Sequence, residues 1–371
     1  MSKTLTEIAR QLKNANKKVQ LIYAFNGSGK TRLSREFKDF IAPKNEEDNE
    51  AENAQPKVIY YNAFTEDLFY WDNDLEGDSE IKLRIQPNAY TRWVLKEQGQ
   101  EPAATAHFQR YTSNKLEPKF SDDFSEVAFS FQRGNEERSE NIKISKGEES
   151  NFIWSIFYSL IDQVIDNLNI AEVSERDTDR YNQLEYVFID DPVSSLDENH
   201  LIELAVSLAG LIKDSKSELK FIITTHSPLF YNVLHNELNN KTCYLLERFE
   251  DGTFDLTKKD GDSNNSFSYH LHLKQTIEKA IAENQVKKYH FTLLRNLYEK
   301  TASFLGYKQW TDLLETTPGD KESYLKRIIT FSSHRTLSNE EVAEPTEQEK
   351  KTVKLLLDNL INNYGYLPKK E

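Results

Sequence analysis

The stretch of sequence that decides the fold reads Tyr23-Ala24-Phe25-Asn26-Gly27-Ser28-Gly29-Lys30-Thr31. Its spacing is typical of a phosphate-binding loop, in which glycines let backbone N–H groups approach the phosphates of a nucleotide. Lys30 is placed to reach the β- and γ-phosphate oxygens, and Thr31 to ligate Mg²⁺. Ala24 replaces the first glycine of the usual pattern, so the match depends on the six residues that follow Phe25. The expected phosphate-binding residues are Asn26, Gly27, Ser28, Gly29, Lys30 and Thr31.

Two later apolar segments are too short for helices and end in polar residues. Residues 186–189 lead to Asp190 and Asp191, and residues 221–225 lead to His226. Buried strands with such ends are typical of sites that deliver carboxylates to a metal ion. We expect Asp190 to hold Mg²⁺, Asp191 to orient the attacking water and His226 to contact the γ-phosphate. An ordinary histidine at a strand end is the alternative for His226 taken alone.

Two more segments complete a resemblance to ABC-type ATPases. Residues 144–150 resemble the signature motif of that family, in which Ser145 and Gly147 would offer a hydroxyl, N–H groups and a helix N-terminus to a phosphate. Residues 194–197 resemble its D-loop and include Asp197. In that family the signature faces the nucleotide of another subunit, so one loop and one signature per chain predict a head-to-tail homodimer. A charged turn that caps a helix is the alternative for the signature segment.

Two positions of this resemblance carry unusual residues. Asp191 stands where ABC-type ATPases usually have a glutamate, and its shorter side chain bears on the rate of hydrolysis. Asn62, at the end of a predicted strand over residues 58–61, lies where a glutamine is usual.

Composition indicates a globular protein with room for two domains. The chain has 371 residues, of which 37% are hydrophobic and 12% aromatic. It has no long apolar stretch and a single cysteine, Cys243, so we expect a cytoplasmic protein without disulfides or a membrane partner. The missing C-x-x-C motif also argues against a zinc hook of the Rad50 type. The composition of residues 43–56 predicts an acidic loop, and a mixed helical and antiparallel β insert is expected between the phosphate loop and the signature.

After His226 the apolar pattern becomes mainly helical. The sequence therefore predicts an α/β ABC-type ATPase domain, a P-loop NTPase, over residues 1–263, followed by a smaller all-α domain over residues 264–371.

Residues 264–336 contain eleven Lys or Arg and seven Asp or Glu, so this stretch is locally basic although the whole chain has a net charge of −14. Among its aromatic residues, on which bases could stack unless they form the core, are Phe267, Tyr269, Tyr289, Phe291, Tyr298, Phe304, Tyr307 and Trp310. Arg295 and Glu299 are spaced to share a helix face, which most often means a surface salt bridge.

The whole chain resembles the PrrC-type bacterial anticodon nucleases. The residues that carry the resemblance are 20–27, 61–68, 145–150 and 295–300. It implies an N-terminal ABC-type regulatory part and a C-terminal, metal-independent ribonuclease that cuts a lysine tRNA, tRNA(Lys), 5′ to the wobble base. By this resemblance Arg295, Glu299 and His334 are catalytic and Asp262 reads the wobble base. The chain departs from the family's motif at Asp260 and Asn265, which bears on substrate preference.

The same resemblance implies a biological setting. It predicts ATP, GTP or dTTP with Mg²⁺ as the regulatory ligand, and a role in phage defence. Its partners would be a type I restriction–modification complex that silences the nuclease and a phage-encoded activator. The alternative function is an ATP-driven conformational ATPase of the DNA-repair or SMC-like kind, whose C-terminal helices bind a partner without cutting RNA. A transport ATPase is disfavoured because no membrane-coupling signal is evident.

Overall fold

The structure is a computed structural model. In it the chain forms two compact units, Met1–Phe267 and Ser268–Glu371. It describes residues 3–43, 55–74, 76–77, 80–132, 138–192, 198–239, 242–249, 251–259, 269–332 and 345–366. The boundary expected between residues 263 and 264 lies outside the described residues.

The helices and strands of the described residues have the following bounds. The strands are β1 (Val19–Ala24), β2 (Val58–Tyr61), β3 (Phe69–Asp72), β4 (Lys82–Ile85), β5 (Leu116–Phe120), β6 (Glu126–Gln132), β7 (Arg138–Ser139), β8 (Tyr186–Asp190), β9 (Lys220–Thr225), β10 (Cys243–Arg248) and β11 (Phe254–Lys259). The α-helices are α1 (Leu5–Ala15), α2 (Lys30–Ile41), α3 (Ala63–Glu66), α4 (Ala89–Thr91), α5 (Glu101–Tyr111), α6 (Lys146–Asn169), α7 (Glu198–Asp214), α8 (Pro228–Glu237), α9 (Tyr269–Ala282), α10 (Tyr289–Leu305), α11 (Lys321–Ser332) and α12 (Glu347–Asn363). A π-helical segment spans Arg92–Glu97, and 3₁₀ helices span Val173–Glu175 and Trp310–Thr316.

The main sheet of the first unit has the strand order β11-β10-β1-β9-β8-β2. Strands β10, β1, β9, β8 and β2 are parallel, and β11 is an antiparallel edge strand. The apolar residues of β1, β8 and β9 are buried, as expected of a parallel sheet covered on both faces. Because β1, β9 and β8 are neighbours, their carboxyl ends lie at one edge and bring together the segments that follow them.

The segment after His226 differs from the sequence prediction. The sequence predicts mainly helices there, but in the structure α8 is followed by the strands β10 and β11. Strand β10 pairs with β1, and Phe254 and Leu256 of β11 are buried in the core. These residues complete the sheet of the first unit before the second unit begins.

The core of the first unit fixes the position of the phosphate loop. Leu33 and Phe37 of α2 are fully buried, and the Phe37 ring lies 5.0 Å from the ring of Tyr186 on β8. Gly29, just before α2, has φ 93°, and a Cβ atom there would lie 2.9 Å from the ring of Phe254. A side chain at this position would be strained and crowded, which explains the glycine.

The insert between the phosphate loop and the signature contains a second sheet, as predicted. Its strands β3, β4, β6 and β5 are antiparallel, and β7 pairs with β6. The insert packs on α6, where the rings of Phe129 and Phe152 lie 5.0 Å apart. Trp71 Nε1 also donates a 2.8 Å hydrogen bond to Glu149 of α6. The second sheet therefore braces the first turns of the signature helix.

The described residues of the second unit form helices α9 to α12 and the 3₁₀ helix Trp310–Thr316. Leu294, Leu297 and Tyr298 of α10 are fully buried in its core. The Tyr298 hydroxyl donates a 2.9 Å hydrogen bond to the Leu356 carbonyl, and the Asn359 amide donates to the Tyr298 oxygen at 3.3 Å. These buried bonds connect α10 with α12.

Within the described ranges, no helix has the length and apolar character needed to cross a bilayer.

Candidate functional site

A cavity of about 330 Å³ lies at the carboxyl edge of β1 and β8. Its lining residues are Asn26, Gly27, Gly29, Lys30, Thr31, Arg32, Glu66, Asp190 and Asp191. The structure thus brings the predicted phosphate loop and both predicted aspartates into one cavity. Gly27 and Gly29 both have positive φ, as the predicted loop requires.

Lys30 supplies a buried positive charge to this cavity. Its Nζ donates hydrogen bonds of 3.2 Å to the Phe25 carbonyl and to Asn26 Oδ1, and lies 3.4 Å from Asp191 Oδ2. Lys30 therefore joins the loop to the residue that follows β8. An ammonium group in this position can serve the oxygens of a bound phosphate.

Asp190 is held by two hydroxyl groups. Thr31 Oγ1 donates to Asp190 Oδ2 at 2.6 Å, and Thr224 Oγ1 donates to Asp190 Oδ1 at 2.5 Å. Burial raises the pKa of Asp190, and the two hydroxyl bonds oppose that shift. The Thr31 hydroxyl and the Asp190 carboxylate are hard oxygen ligands, the kind that Mg²⁺ takes together with substrate phosphates. These two residues fit a magnesium site that is completed by a nucleotide.

Asp191 and His226 form a close pair at the ends of β8 and β9. Asp191 Oδ2 lies 2.5 Å from His226 Nδ1, and Asp191 Oδ1 accepts the His226 backbone N–H at 3.3 Å. Burial acts to raise the pKa of Asp191, but the His226 bond and the charge of Lys30 outweigh burial and lower the pKa. Asp191 also has φ 52°, a left-handed conformation that aspartate and asparagine tolerate better than most residues. Such a backbone conformation is common at functional sites.

Glu66 was not predicted and lies in the same cavity. Its Oε1 accepts a 2.8 Å hydrogen bond from the Tyr61 hydroxyl. Burial raises the pKa of Glu66, whereas the Tyr61 bond and the charge of Lys146 act to lower it. Asn62, the residue expected near this place, is fully buried and donates to Ser34 Oγ at 2.8 Å. No local sequence pattern distinguishes Glu66 from Asn62 as the residue that faces the cavity.

The predicted signature residues lie at the N-terminus of α6. Ser145 is its N-cap and forms a capping box with Glu148, as the alternative interpretation of this segment predicts. Gly147 lies in the first turn, so both residues are at the positive end of a 24-residue helix. In the part of the chain that the structure describes, neither residue lines the phosphate cavity of its own chain.

Three predicted site residues lie outside the described residues. They are Asp197 of the D-loop segment, Asp262 and His334.

Arg295 and Glu299 are paired on α10. Arg295 Nε donates a 2.7 Å hydrogen bond to Glu299 Oε1, and the two side chains are 36% and 38% exposed. The Arg295 guanidinium carbon lies 6.0 Å from the ring centroid of Trp310, within the range of a cation–π interaction. The pair is compatible with a surface salt bridge, but Glu299 also lines a second cavity together with Trp310 and Tyr307.

The structure buries some aromatic residues of this region and exposes others, while Trp310 is partly buried. Phe291 and Tyr298 are fully buried in the core, whereas Tyr289, Phe304 and Tyr307 are exposed. Phe267 lies outside the described residues. The exposed rings are therefore the ones available to a ligand.

Comparison with known proteins identifies a relative along the whole chain. An Escherichia coli protein named "Anticodon nuclease" is 64% identical over 391 residues, covering 99% of this chain and 98% of the relative. No protein-family model matches the chain.

Solved structures of SMC head domains also match, but only distantly. One is an Smc head bound to the C-winged helix domain of ScpA, with 11% identity, a TM-score of 0.33, and 66% of this chain and 90% of that chain covered. Another is the SMC head domain from Thermotoga maritima, with 12% identity, a TM-score of 0.28, and 66% and 91% covered. These values are too low to transfer a function. The 64% sequence identity with the Escherichia coli relative, over 99% of this chain, shows that the chain belongs to the anticodon nuclease family.

Proposed function

We propose that this protein is an endoribonuclease that cuts a tRNA in its anticodon loop under the control of a bound nucleotide. The observation that carries this proposal is the 64% identity over 99% of the chain with a relative named for that activity. The paired Arg295 and Glu299, beside a cavity in the second unit, support it. The proposed substrate is tRNA(Lys), cut 5′ to the wobble base.

The cleavage chemistry follows from what RNA can do without a metal ion. The 2′-hydroxyl of the nucleotide before the wobble base attacks the adjacent phosphorus, and a base accepts its proton. The P–O5′ bond then breaks, and an acid protonates the leaving 5′-oxygen. The products are a 2′,3′-cyclic phosphate and a 5′-hydroxyl.

Three side chains are assigned to these steps. Glu299 and His334 are the acid–base pair, and either one can be the base. Arg295 stabilises the extra negative charge of the phosphorane, for which a planar guanidinium with several donors is suited. Asp262 accepts hydrogen bonds from the wobble base and so selects the tRNA.

The first unit is proposed to bind ATP, GTP or dTTP in the cavity that contains Lys30. Lys30 and the loop N–H groups would bind its phosphates, while Thr31 and Asp190 would hold Mg²⁺, which neutralises phosphate charge when bound. Asp191 and His226 lie at the ends of adjacent strands, where they can orient water and contact the γ-phosphate. Ser145, Gly147 and Asp197 would complete the site of a second subunit in a head-to-tail dimer.

The biological role proposed on the same basis is phage defence in the cytoplasm. A type I restriction–modification complex would keep the nuclease silent, and a phage-encoded activator would release it. Control of this kind suits an enzyme that destroys a tRNA the cell itself needs.

The direct test is to incubate the purified protein with total tRNA and Mg²⁺, with ATP, GTP or dTTP added separately. Sequencing of the fragment ends should map one cut, 5′ to the wobble base of tRNA(Lys), with a 2′,3′-cyclic phosphate. Nucleotide hydrolysis without any RNA cut under all conditions would favour a conformational ATPase that only binds a partner.

A further inference from the structure

A cavity of about 540 Å³ lies beside the Arg295–Glu299 pair in the second unit. Its lining residues are Glu299, Ala302, Ser303, Tyr307, Lys308, Gln309, Trp310 and Thr311. The volume lies within the roughly 300–1,000 Å³ typical of small-ligand sites. Half of these residues belong to the segment 307–310, to which the proposed function assigns no role.

The end of α10 creates this cavity. Gly306 follows the helix with φ 79°, and the Tyr307 N–H donates a 2.9 Å hydrogen bond to the Ala302 carbonyl. This bond is typical of a left-handed helix C-terminus, which reverses the chain. Segment 307–310 is thereby held beside the last turns of α10, where Glu299 lies.

The far end of the segment is also anchored. Gln309 caps the 3₁₀ helix Trp310–Thr316 through a reciprocal pair of hydrogen bonds with Asp312. Leu313 and Leu314 of this helix are buried in the core of the unit. The segment is therefore fixed at both ends, and the positions of its side chains are set by the fold.

Trp310 lies against both Arg295 and the buried ring of Tyr298. Its ring packs at 71° and 6.2 Å against the ring of Tyr298, and the Arg295 guanidinium lies 6.0 Å from its centroid. A cation over an indole ring is attracted by the ring quadrupole. Trp310 thus restricts where the Arg295 guanidinium can lie, while Glu299 restrains Arg295 Nε.

Tyr307 presents an aromatic ring at the edge of the same cavity. It is 44% exposed, and its ring meets Tyr364 edge-on at 6.1 Å. This contact restrains the ring without covering it. Exposed aromatic side chains beside a cavity are the usual platforms for unpaired RNA bases, and the exposed Lys308 next to it adds a positive charge for a phosphate.

We propose that segment 307–310 is the RNA-binding side of the nuclease site, where Tyr307 stacks on an unpaired base of the anticodon loop and Trp310 positions Arg295. This inference rests on the proposed function. It adds a ligand class for the cavity, a single-stranded nucleotide, and separate roles for two aromatic residues. Tyr307 contributes to binding, whereas Trp310 acts on the chemical step through Arg295.

The test uses the full-length protein, Mg²⁺ and nucleotide with the anticodon stem–loop of tRNA(Lys). Binding is measured by fluorescence anisotropy on a stem–loop with a 2′-deoxy nucleotide before the wobble base, which cannot be cut. Cleavage rates are measured on the all-ribose stem–loop. The variants are Tyr307→Ala, Tyr307→Phe, Trp310→Leu and Trp310→Phe. Phe304→Ala is the matched control, because Phe304 is an 88% exposed ring on α10 that does not line this cavity.

Loss of the Tyr307 ring should weaken binding by roughly 5- to 150-fold and leave kcat at saturating RNA close to wild type. Tyr307→Phe should bind as wild type does, because the ring remains. Trp310→Leu should lower kcat more than it raises KM, and Trp310→Phe should restore part of the rate. If Trp310→Leu fails to fold, as judged by circular dichroism, Trp310→Phe alone tests the role, and a wild-type kcat would then contradict it.

Two outcomes separate this inference from the proposed function. If wild-type protein cuts the stem–loop but Tyr307→Ala binds it with unchanged affinity, the base-stacking role is wrong and the function stands. If wild-type protein neither binds nor cuts any anticodon stem–loop, the proposed function fails, and this inference fails with it.

Discussion

The carboxylate of Asp191 lies 2.5 Å from His226 Nδ1 and 3.4 Å from Lys30 Nζ. One side chain thus connects the phosphate loop with the ends of β8 and β9. Its pKa is lowered because these two partners outweigh the effect of burial, so the carboxylate is charged at neutral pH. A charged carboxylate in this position can orient a water molecule for attack on a phosphate.

The first prediction concerns Asp191→Asn. Asparagine has nearly the same shape and also tolerates φ 52°, so the fold should be retained. Loss of the negative charge should slow nucleotide hydrolysis by about 10²-fold or more and trap a nucleotide-bound dimer. Phosphate release and light scattering at micromolar protein with Mg²⁺ and nucleotide measure the two effects.

Asp39→Asn is the control for this variant, since Asp39 is an exposed aspartate of the same unit. It should hydrolyse nucleotide and scatter light as wild type does. A monomeric Asp191→Asn protein with bound nucleotide would contradict the head-to-tail dimer.

The second prediction concerns Lys30→Ala. Removal of the buried ammonium should abolish high-affinity nucleotide binding, because its charge can no longer serve the phosphates. Isothermal titration calorimetry with ATP, GTP and dTTP measures the affinity, and circular dichroism checks the fold. Lys17→Ala, which removes an exposed lysine, should bind as wild type does. Unchanged affinity in a folded Lys30→Ala protein would refute the assignment of the loop.

The third prediction is a pH dependence that arises from Glu66. Burial raises the pKa of Glu66 above its unfolded value, so the stability it contributes is complete below the unfolded pKa and is lost as pH rises through the folded pKa. Glu66→Gln keeps an acceptor for the Tyr61 hydroxyl but cannot ionise. The variant should therefore gain Tm relative to wild type as pH rises, reaching roughly 1–4 °C near neutral pH.

Thermal unfolding at a series of pH values from about 4 to about 8 measures this difference. Glu185→Gln, at an exposed glutamate of the same unit, changes the net charge by the same amount and serves as the control. A Tm difference for Glu66→Gln that stays constant with pH would show that burial does not penalise the charged carboxylate.

The sequence predicts the strands around the phosphate site well. The expected strands at residues 186–189 and 221–225 differ by one residue each from β8 and β9, because short apolar runs with polar ends have few other solutions in a buried sheet. Convergence of Lys30, Asp190 and Asp191 follows once these strands are neighbours of β1.

The sequence could not predict which residue after β2 faces the cavity. Asn62 and Glu66 are both polar and lie one helical turn apart, and only the packing of α3 decides between them. The Asn62 side chain hydrogen-bonds to Ser34 Oγ and to the backbone N–H of Phe64, whereas Glu66 lines the cavity. Local pattern alone contains no information about this choice.

The aromatic residues of the second unit show a similar limit. Phe291, Leu294 and Tyr298 recur at helical spacing, which indicates a core position, and all three are buried. Tyr307 and Trp310 follow the end of α10, where helical periodicity no longer applies. Their place beside Glu299 depends on the chain reversal at Gly306, which only the structure shows.

The last prediction separates a nuclease site from a surface salt bridge. Arg295→Ala and His334→Ala should each lower cleavage of tRNA(Lys) by about 10²–10⁴-fold and leave nucleotide hydrolysis unchanged. Arg295→Lys should recover little activity, because an ammonium cannot reproduce the planar donors of a guanidinium around a phosphorane.

Arg110→Ala is the matched control, since Arg110 Nε donates a 2.6 Å hydrogen bond to Glu203 in another exposed Arg–Glu pair. Gel assays with labelled tRNA measure the rates, and circular dichroism confirms folding. If the Arg295 and His334 variants cut as fast as wild type and Arg110→Ala, then Arg295 and Glu299 form only a surface ion pair, and the catalytic groups lie elsewhere in the chain.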